Sequence, residues 1–330
     1  MRSGPGGRAL AVAAVLALSL GLAGCAGGIG GEPGGPTPEQ LAGGSIGREH
    51  NLKGARFIVG SKEFTENVIL GKIIIYALRA AGGEVVDQTK LSGSATVRVA
   101  LETKAIDMYW DYAGTGWTQY LKHTDLLGEA QQQFQATAGE DMAANQVRWV
   151  GPAAFGDAYA VARRGDVQGA LAAVHSMSDM ARFVRENPDE GSFCGASEFM
   201  NREFETMQRI YDVRFPPERT HENALALNYV NVAKGSPCNF AEVTTTDSRL
   251  ESLNLTVLRD DRTFTATQLA ALTMREETYR QHPELGQLGI ALGSKLTAPT
   301  MIELNGQVDL EGRSPDQVAV QFLRANAFIA

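Results

Sequence analysis

The sequence predicts an α/β protein with a parallel sheet, and three observations carry that expectation. Apolar runs of strand length alternate with stretches of helical periodicity from Arg56 onward. Turn signals such as Gly82-Gly83 and Ser92-Gly93-Ser94 separate them. The 330 residues, 44% of them hydrophobic, are enough to bury a core in each of two domains.

The first 24 residues are read apart from the fold. Arg2 and Arg8 give a positive start, and Ala9 to Ala23 is a run rich in Ala, Leu and Val. That run is shorter than the roughly 20 residues that span a bilayer and has the proportions of a secretory leader. It ends in Leu22-Ala23-Gly24-Cys25, which resembles the lipobox of bacterial lipoproteins. The resemblance implies removal of residues 1–24, lipidation of Cys25 and attachment to the outer face of the cell membrane; two or more acyl chains anchor stably. Without Arg2 and Arg8 the chain carries 28 basic and 38 acidic residues, formally −10. That balance argues against nucleic acid as a partner. Residues 25–50 read as a flexible tether, since nine Gly and three Pro fall between Ala26 and His50. Cys194 and Cys238 are left over, and in an exported chain such a pair is expected to form a disulfide, the alternative being two separate buried thiols.

In the body, Arg56–Gly60 reads as a buried strand, with Ser61 in N-cap position before a helix through Phe64, Val68, Ile74 and Leu78. Glu84–Leu91 is a second strand, a helix runs through Val97 and Leu101, and Ile106–Tyr112 is a third strand broken by Gly114 and Gly116. Further on, Tyr159–Ala162, Ser192–Gly195 and Leu255–Leu258 are strand-like. Met180–Arg185, Glu198–Tyr211, Gln268–Gln281 and Ser314–Phe328 read as helices.

Catalytic and metal motifs are not found. The five histidines are scattered without metal-ligand spacing, and no phosphate loop, dinucleotide fingerprint or nucleophile elbow occurs. Asp260-Asp261 reads as a solvated turn and Gly114-Thr115-Gly116 as a turn signal. No cofactor and no metal are therefore expected, and the chain is read as a binder of small solutes rather than an enzyme.

Gly60-Ser61-Lys62-Glu63-Phe64-Thr65-Glu66 followed by Ile69-Leu70-Gly71 resembles the opening of the OpuAC-like substrate-binding proteins of osmoprotectant ABC importers, which bind glycine betaine, choline or carnitine. The resemblance continues in Trp110-Asp111-Tyr112-Ala113-Gly114-Thr115, Asp157-Ala158-Tyr159-Ala160, Glu198-Phe199 with Arg202, and Thr245-Thr246-Asp247, in order over residues 55–330. It implies a two-lobed, type II periplasmic-binding-protein-like fold whose hinge is crossed twice, near Gly156 and Leu258. Lobe 1 would comprise residues 51–156 and 259–330, and lobe 2 residues 157–258. The partners implied are a small-molecule solute and an ABC permease with its ATPase.

The same resemblance assigns site residues. Tyr112 and Tyr159 fall on two walls of an aromatic cage for a quaternary ammonium, whose charge is drawn to ring faces. Lys62 and Arg202 fall on the positive residues, Thr115 on a hydroxyl donor and Asp157 on an acid beside the cage. Thr244 and Gln268 stand where the family has two further aromatics, and Glu203-Phe204 replaces the usual Asp-Gly after the arginine. The pocket is thus read as keeping its anion-facing half while the opposite wall is more polar. The leading function is the extracellular solute-binding lipoprotein of an importer; the alternative is a ligand-sensing or scaffold lipoprotein with a non-betaine ligand. A polar wall predicts that calorimetric titration of glycine betaine and of choline gives no micromolar binding; micromolar binding of either overturns it.

Overall fold

The computed structural model describes residue 36, residues 38–265 and residues 269–330. Cys25, the leader, residues 26–35 and 37 of the expected tether, and Gln268 with Ala266-Thr267 lie outside the described residues. The strands are β1 (Arg56–Lys62), β2 (Glu84–Leu91), β3 (Met108–Tyr112), β4 (Val147–Val150), β5 (Tyr159–Arg164), β6 (Phe193–Gly195), β7 (Thr220–Glu222), β8 (Phe240–Thr244), β9 (Leu255–Val257) and β10 (Ala270–Arg275). They form two five-stranded sheets, ordered β2-β1-β3-β10-β4 and β7-β6-β8-β5-β9.

Neither sheet is purely parallel, which corrects the expectation. β1 runs parallel to β2 and β3, but β10 lies antiparallel between β3 and β4. In the second sheet β6 is parallel to β7 and β8, and β5 is antiparallel to β8 and β9. The residues of β10 were read as part of a helix over Gln268–Gln281; they are a strand, with helix only at Glu276–Gln281. Ala270 to Met274 is a continuous buried run, and a run without alternation carries no period to separate strand from helix.

The helix Thr65–Ala80 packs on the first sheet with nearly every residue buried, among them Ile69, Leu70, Ile73 and Ile74. Gly71 permits that approach, since a Cβ there would come within 2.9 Å of Thr89 and 3.2 Å of Ser61. Ser61 is not the cap of this helix: β1 continues to Lys62 and the helix begins at Thr65. The segment Glu198–Tyr211 is two helices, Ser197–Arg202 and Phe204–Tyr211, with Glu203 between them. The second sheet has its own core of Phe183, Phe193, Phe199, Phe215 and Phe240.

Two further readings are corrected. The described part of the expected tether is folded: Pro38–Ala42 and Ser45–Glu49 are helices that bury Leu41 and Ile46 against the body, and Ser45 N–H bonds to Ala327 O at 2.9 Å. Two apolar anchors among glycines gave too weak a period to be seen. Asp260-Asp261 is no idle solvated turn, because Asp260 accepts from the Tyr211 hydroxyl and from Phe264 N–H, and Asp261 accepts from Ser178 N–H at 3.1 Å.

Cys194 at the centre of β6 and Cys238 just before β8 are joined by a disulfide, with Cα atoms 5.8 Å apart. The two cysteines are 44 residues apart in sequence, and closing a loop of that length restricts the unfolded chain by up to about 4 kcal/mol. Replacing both cysteines by serine is expected to lower the unfolding free energy by about 2–4 kcal/mol, measured by urea denaturation. An unchanged midpoint and slope would contradict that.

Candidate functional site

A cavity of ≈ 280 Å³ lies between the facing ends of the two sheets. It is lined by Lys62, Tyr112, Thr115, Asp157, Tyr159, Arg202 and Thr244, which is every described member of the set assigned from sequence. The eighth, Gln268, lies outside the described residues.

Strand ends supply most of the set. Lys62 closes β1 and Tyr112 closes β3, while Tyr159 opens β5 and pairs in register with Thr244 at the end of β8. Thr115 follows in a helical turn rather than a loop, Ala113–Thr115 running into Gly116–Tyr120. Gly116 lets that turn sit close to Trp149 and Thr137, where a Cβ would come within 2.8 Å and 2.6 Å.

Lys62 and Arg202 are both buried cations with carboxylate partners. Lys62 Nζ lies 2.8 Å from Asp111 Oδ1 and 5.0 Å from the centre of the Tyr112 ring. Asp111 is held in turn by the hydroxyls of Tyr109 and Tyr120, at 2.6 Å and 2.8 Å. The backbone N–H of Lys62 donates to Asn67 Oδ1, so it adds nothing to an anion site. Arg202 lies over the Tyr159 ring at 5.7 Å and donates from Nη1 to Glu198 Oε1. Its Nε and Nη2 are buried with no hydrogen-bond partner among the described residues, although Nη2 is 3.6 Å from Glu203. Glu198 also accepts from Ser94 Oγ at 2.6 Å, a bond between helices attached to different sheets. Phe204, in place of the small residue expected after the arginine, packs against Phe193.

Asp157, half-buried, is paired through Thr246 with the buried Glu66. Thr246 Oγ1 lies 2.6 Å from Glu66 Oε2 and 3.0 Å from Asp157 Oδ1. Tyr112 OH donates to Glu66 Oε1 at 2.7 Å, and Asn305 Nδ2 reaches Glu66 Oε2 at 3.2 Å. Burial pushes both carboxyls above the usual range, Asp157 well above it; the charge of Glu66 raises Asp157 further, and Asp247 raises them both. The Thr246 hydroxyl carries one proton and donates to one carboxyl at a time, the contact with Glu66 being the shorter.

Several lining residues were missed. Phe64 is a third aromatic, stacked on Tyr112 with ring centres 6.1 Å apart. Glu198, Asn223 and Glu242 also line the cavity. The Glu242 carboxyl is 1% exposed, and burial pushes it up to about 8. Its signal in the sequence was an acid inside the apolar run Phe240-Ala241-Glu242-Val243.

Raised carboxyl pKa values fix the sign of a pH effect. Glu242 binds a proton in the folded state over a range where the unfolded chain has lost it, so its contribution is full below its ordinary value of 4.5 and fades as pH rises through about 8. Glu242→Gln is therefore expected to raise the melting temperature relative to wild type at pH 8.5, by several degrees, and by much less at pH 5. Equal shifts at both pH values would contradict the assignment.

Residues 56–325 match the OpuAC family, described as the substrate binding domain of ABC-type glycine betaine transport systems. A glycine-betaine-binding protein of Pseudomonas aeruginosa is 32% identical over 273 residues, 81% of this chain and 86% of that protein. The ergothioneine transport permease/ergothioneine binding protein EgtU of Helicobacter pylori is 29% identical over 270 residues, 81% of this chain and 47% of its own length. The crystal structure of a glycine betaine/carnitine/choline ABC transporter protein superposes with a TM-score of 0.65 at 22% identity, covering 83% of this chain and 98% of that one. That last likeness is one of fold.

Proposed function

The chain belongs to the OpuAC family of substrate-binding proteins of ABC transport systems, and from that premise we propose that its cavity takes a small zwitterionic quaternary amine and presents it to a permease. The protein performs no chemistry on its cargo. One observation carries the reading: aromatic faces and cationic donors from both sheets converge on one cavity, with Phe64, Tyr112 and Tyr159 beside Lys62 and Arg202.

The chemistry divides between two ends. The ring faces attract a desolvated alkylammonium, each contact contributing about 0.5–2 kcal/mol. The free Nε and Nη2 of Arg202 are placed to take a carboxylate, and charge-assisted bonds of this kind are strong. Lys62 is already neutralised by Asp111 but keeps ammonium protons to donate. Thr115 and Asp157 stand beside the cage as hydroxyl and neutral-acid contacts.

The proposed mechanism is closure of two lobes, residues 51–156 with 259–330 against residues 157–258. Ser94–Glu198 is a contact made only when they meet. Residues 1–24 are proposed as a leader and Cys25 as the lipidated residue, anchoring the body outside the cell membrane; the lipobox-like Leu22-Ala23-Gly24-Cys25 supports this.

A thermal-shift screen of quaternary amines is expected to find a stabilising ligand, since binding to the folded state alone raises the melting temperature by mass action. With that ligand, Tyr159→Ala is expected to weaken binding roughly 2- to 30-fold, and Arg202→Ala to weaken it further for carboxylate-bearing ligands only. No shift from any quaternary amine would overturn the reading.

A further inference from the structure

Glu242 is placed where a fold seeking only stability would put an apolar residue. Its strand neighbours Phe240, Ala241 and Val243 are fully buried, and burying a carboxyl beside them carries a desolvation cost. The β5–β8 register pairs Tyr159 with Thr244 and Val161 with Glu242. Glu242 and Thr244 are two residues apart, so they share a face of the strand, and both line the cavity with Tyr159. Thr244 replaces the aromatic ring that the family resemblance places there, and its short side chain leaves Glu242 open to the cavity.

The hydrogen bonds around Glu242 are incomplete on the cavity side. Oε2 accepts from Ala196 N–H at 2.5 Å and from Asn228 Nδ2 at 3.2 Å. No bond to Oε1 is formed by the described residues. Asn223, also in the lining, has its Nδ2 buried with no hydrogen-bond partner among the described residues. Burial and the nearby Glu198 hold the Glu242 carboxyl in its protonated form at neutral pH, against the opposing charge of Arg202. Because Oε2 is occupied as an acceptor of two bonds, the proton sits on Oε1, which offers a donor and an acceptor together.

We propose that Glu242 and Asn223 form a second subsite of the cavity, receiving an arm of the solute that carries an N–H or O–H donor beside an acceptor. The proposal rests on the reading that the cavity binds a quaternary amine, and it names which member of that class fits. Glycine betaine has one acceptor group, the carboxylate assigned above to Arg202, and no donor, so with that carboxylate engaged it leaves Oε1 and the Asn223 amide unpaired. A site built to hydrogen-bond a polar arm discriminates against an analogue lacking it, because the buried polar groups are then stranded. A betaine extended by an imidazole, amide or thione-bearing ring would satisfy both groups.

The test is calorimetric titration of the full chain with two probes. One is glycine betaine. The other is ergothioneine, a trimethylammonium carboxylate whose ring carries N–H donors and a sulfur acceptor. Wild type is expected to bind ergothioneine at least tenfold more tightly. Asn223→Ala and Glu242→Leu are each expected to cut that preference at least tenfold, and if Glu242→Leu proves unfolded by circular dichroism, Asn223→Ala decides alone. Equal affinity for the two probes, or a preference that Asn223→Ala leaves intact, overturns the subsite while the quaternary-amine reading stands. Failure of wild type to bind either probe overturns the subsite, and the quaternary-amine reading falls with it only if the thermal-shift screen is blank as well.

Discussion

The hydrogen-bonded acid pair at Glu66 and Asp157 is the constraint on which the cavity depends. Glu66 lies in the first turn of the helix after β1 and is 4% exposed, yet its two oxygens are met by Tyr112, Thr246 and Asn305. Those partners come from β3, from the segment after β8 and from the helix Ala298–Asp309. One buried carboxyl thus fixes Tyr112 of the cavity lining by its hydroxyl and ties the first sheet to the chain leaving the second. Two ionised carboxylates bridged by one hydroxyl would repel in a low-dielectric setting, and a proton on either of them removes that repulsion.

The same economy of charge runs through the rest of the cleft. Lys62 is balanced by Asp111 and Arg202 by Glu198, so neither cation is a bare charge awaiting an anion. A buried cation with no partner would be costly enough to shift its protonation or distort its surroundings. Holding each by a carboxylate fixes its geometry in advance while leaving donors free, which would lower the ordering cost of capturing the proposed zwitterion.

The sequence made legible whatever sits at the ends of strongly patterned elements. Lys62, Tyr112, Tyr159 and Arg202 follow strands or motifs whose order is kept along the chain, and all of them reach one cavity. What was hidden depended on contacts distant in sequence. β10 is a uniformly apolar run, so its insertion between β3 and β4 has no signature in periodicity. Asp111 stood in a quoted motif, but only folding brings it to Lys62, 49 residues earlier. Phe64 read as one ring of a helical stripe, when it is the residue preceding the helix and faces Tyr112. Phe240–Thr244 is not among the strands the sequence predicts, so Glu242 is recognisable only once folding turns it toward the cavity rather than the core.

The antiparallel strand β10 also sets the order in which the protein becomes whole. The second sheet is drawn from one contiguous stretch, Tyr159 to Val257, and carries its own disulfide. The first sheet lacks a central member until residues 270–275 arrive, and before then β3 and β4 have no strand between them to bond to. For a chain that emerges from its N-terminus, the half begun first is finished last. The cleft between the sheets, with the groups that line it, cannot exist until nearly the whole polypeptide has emerged.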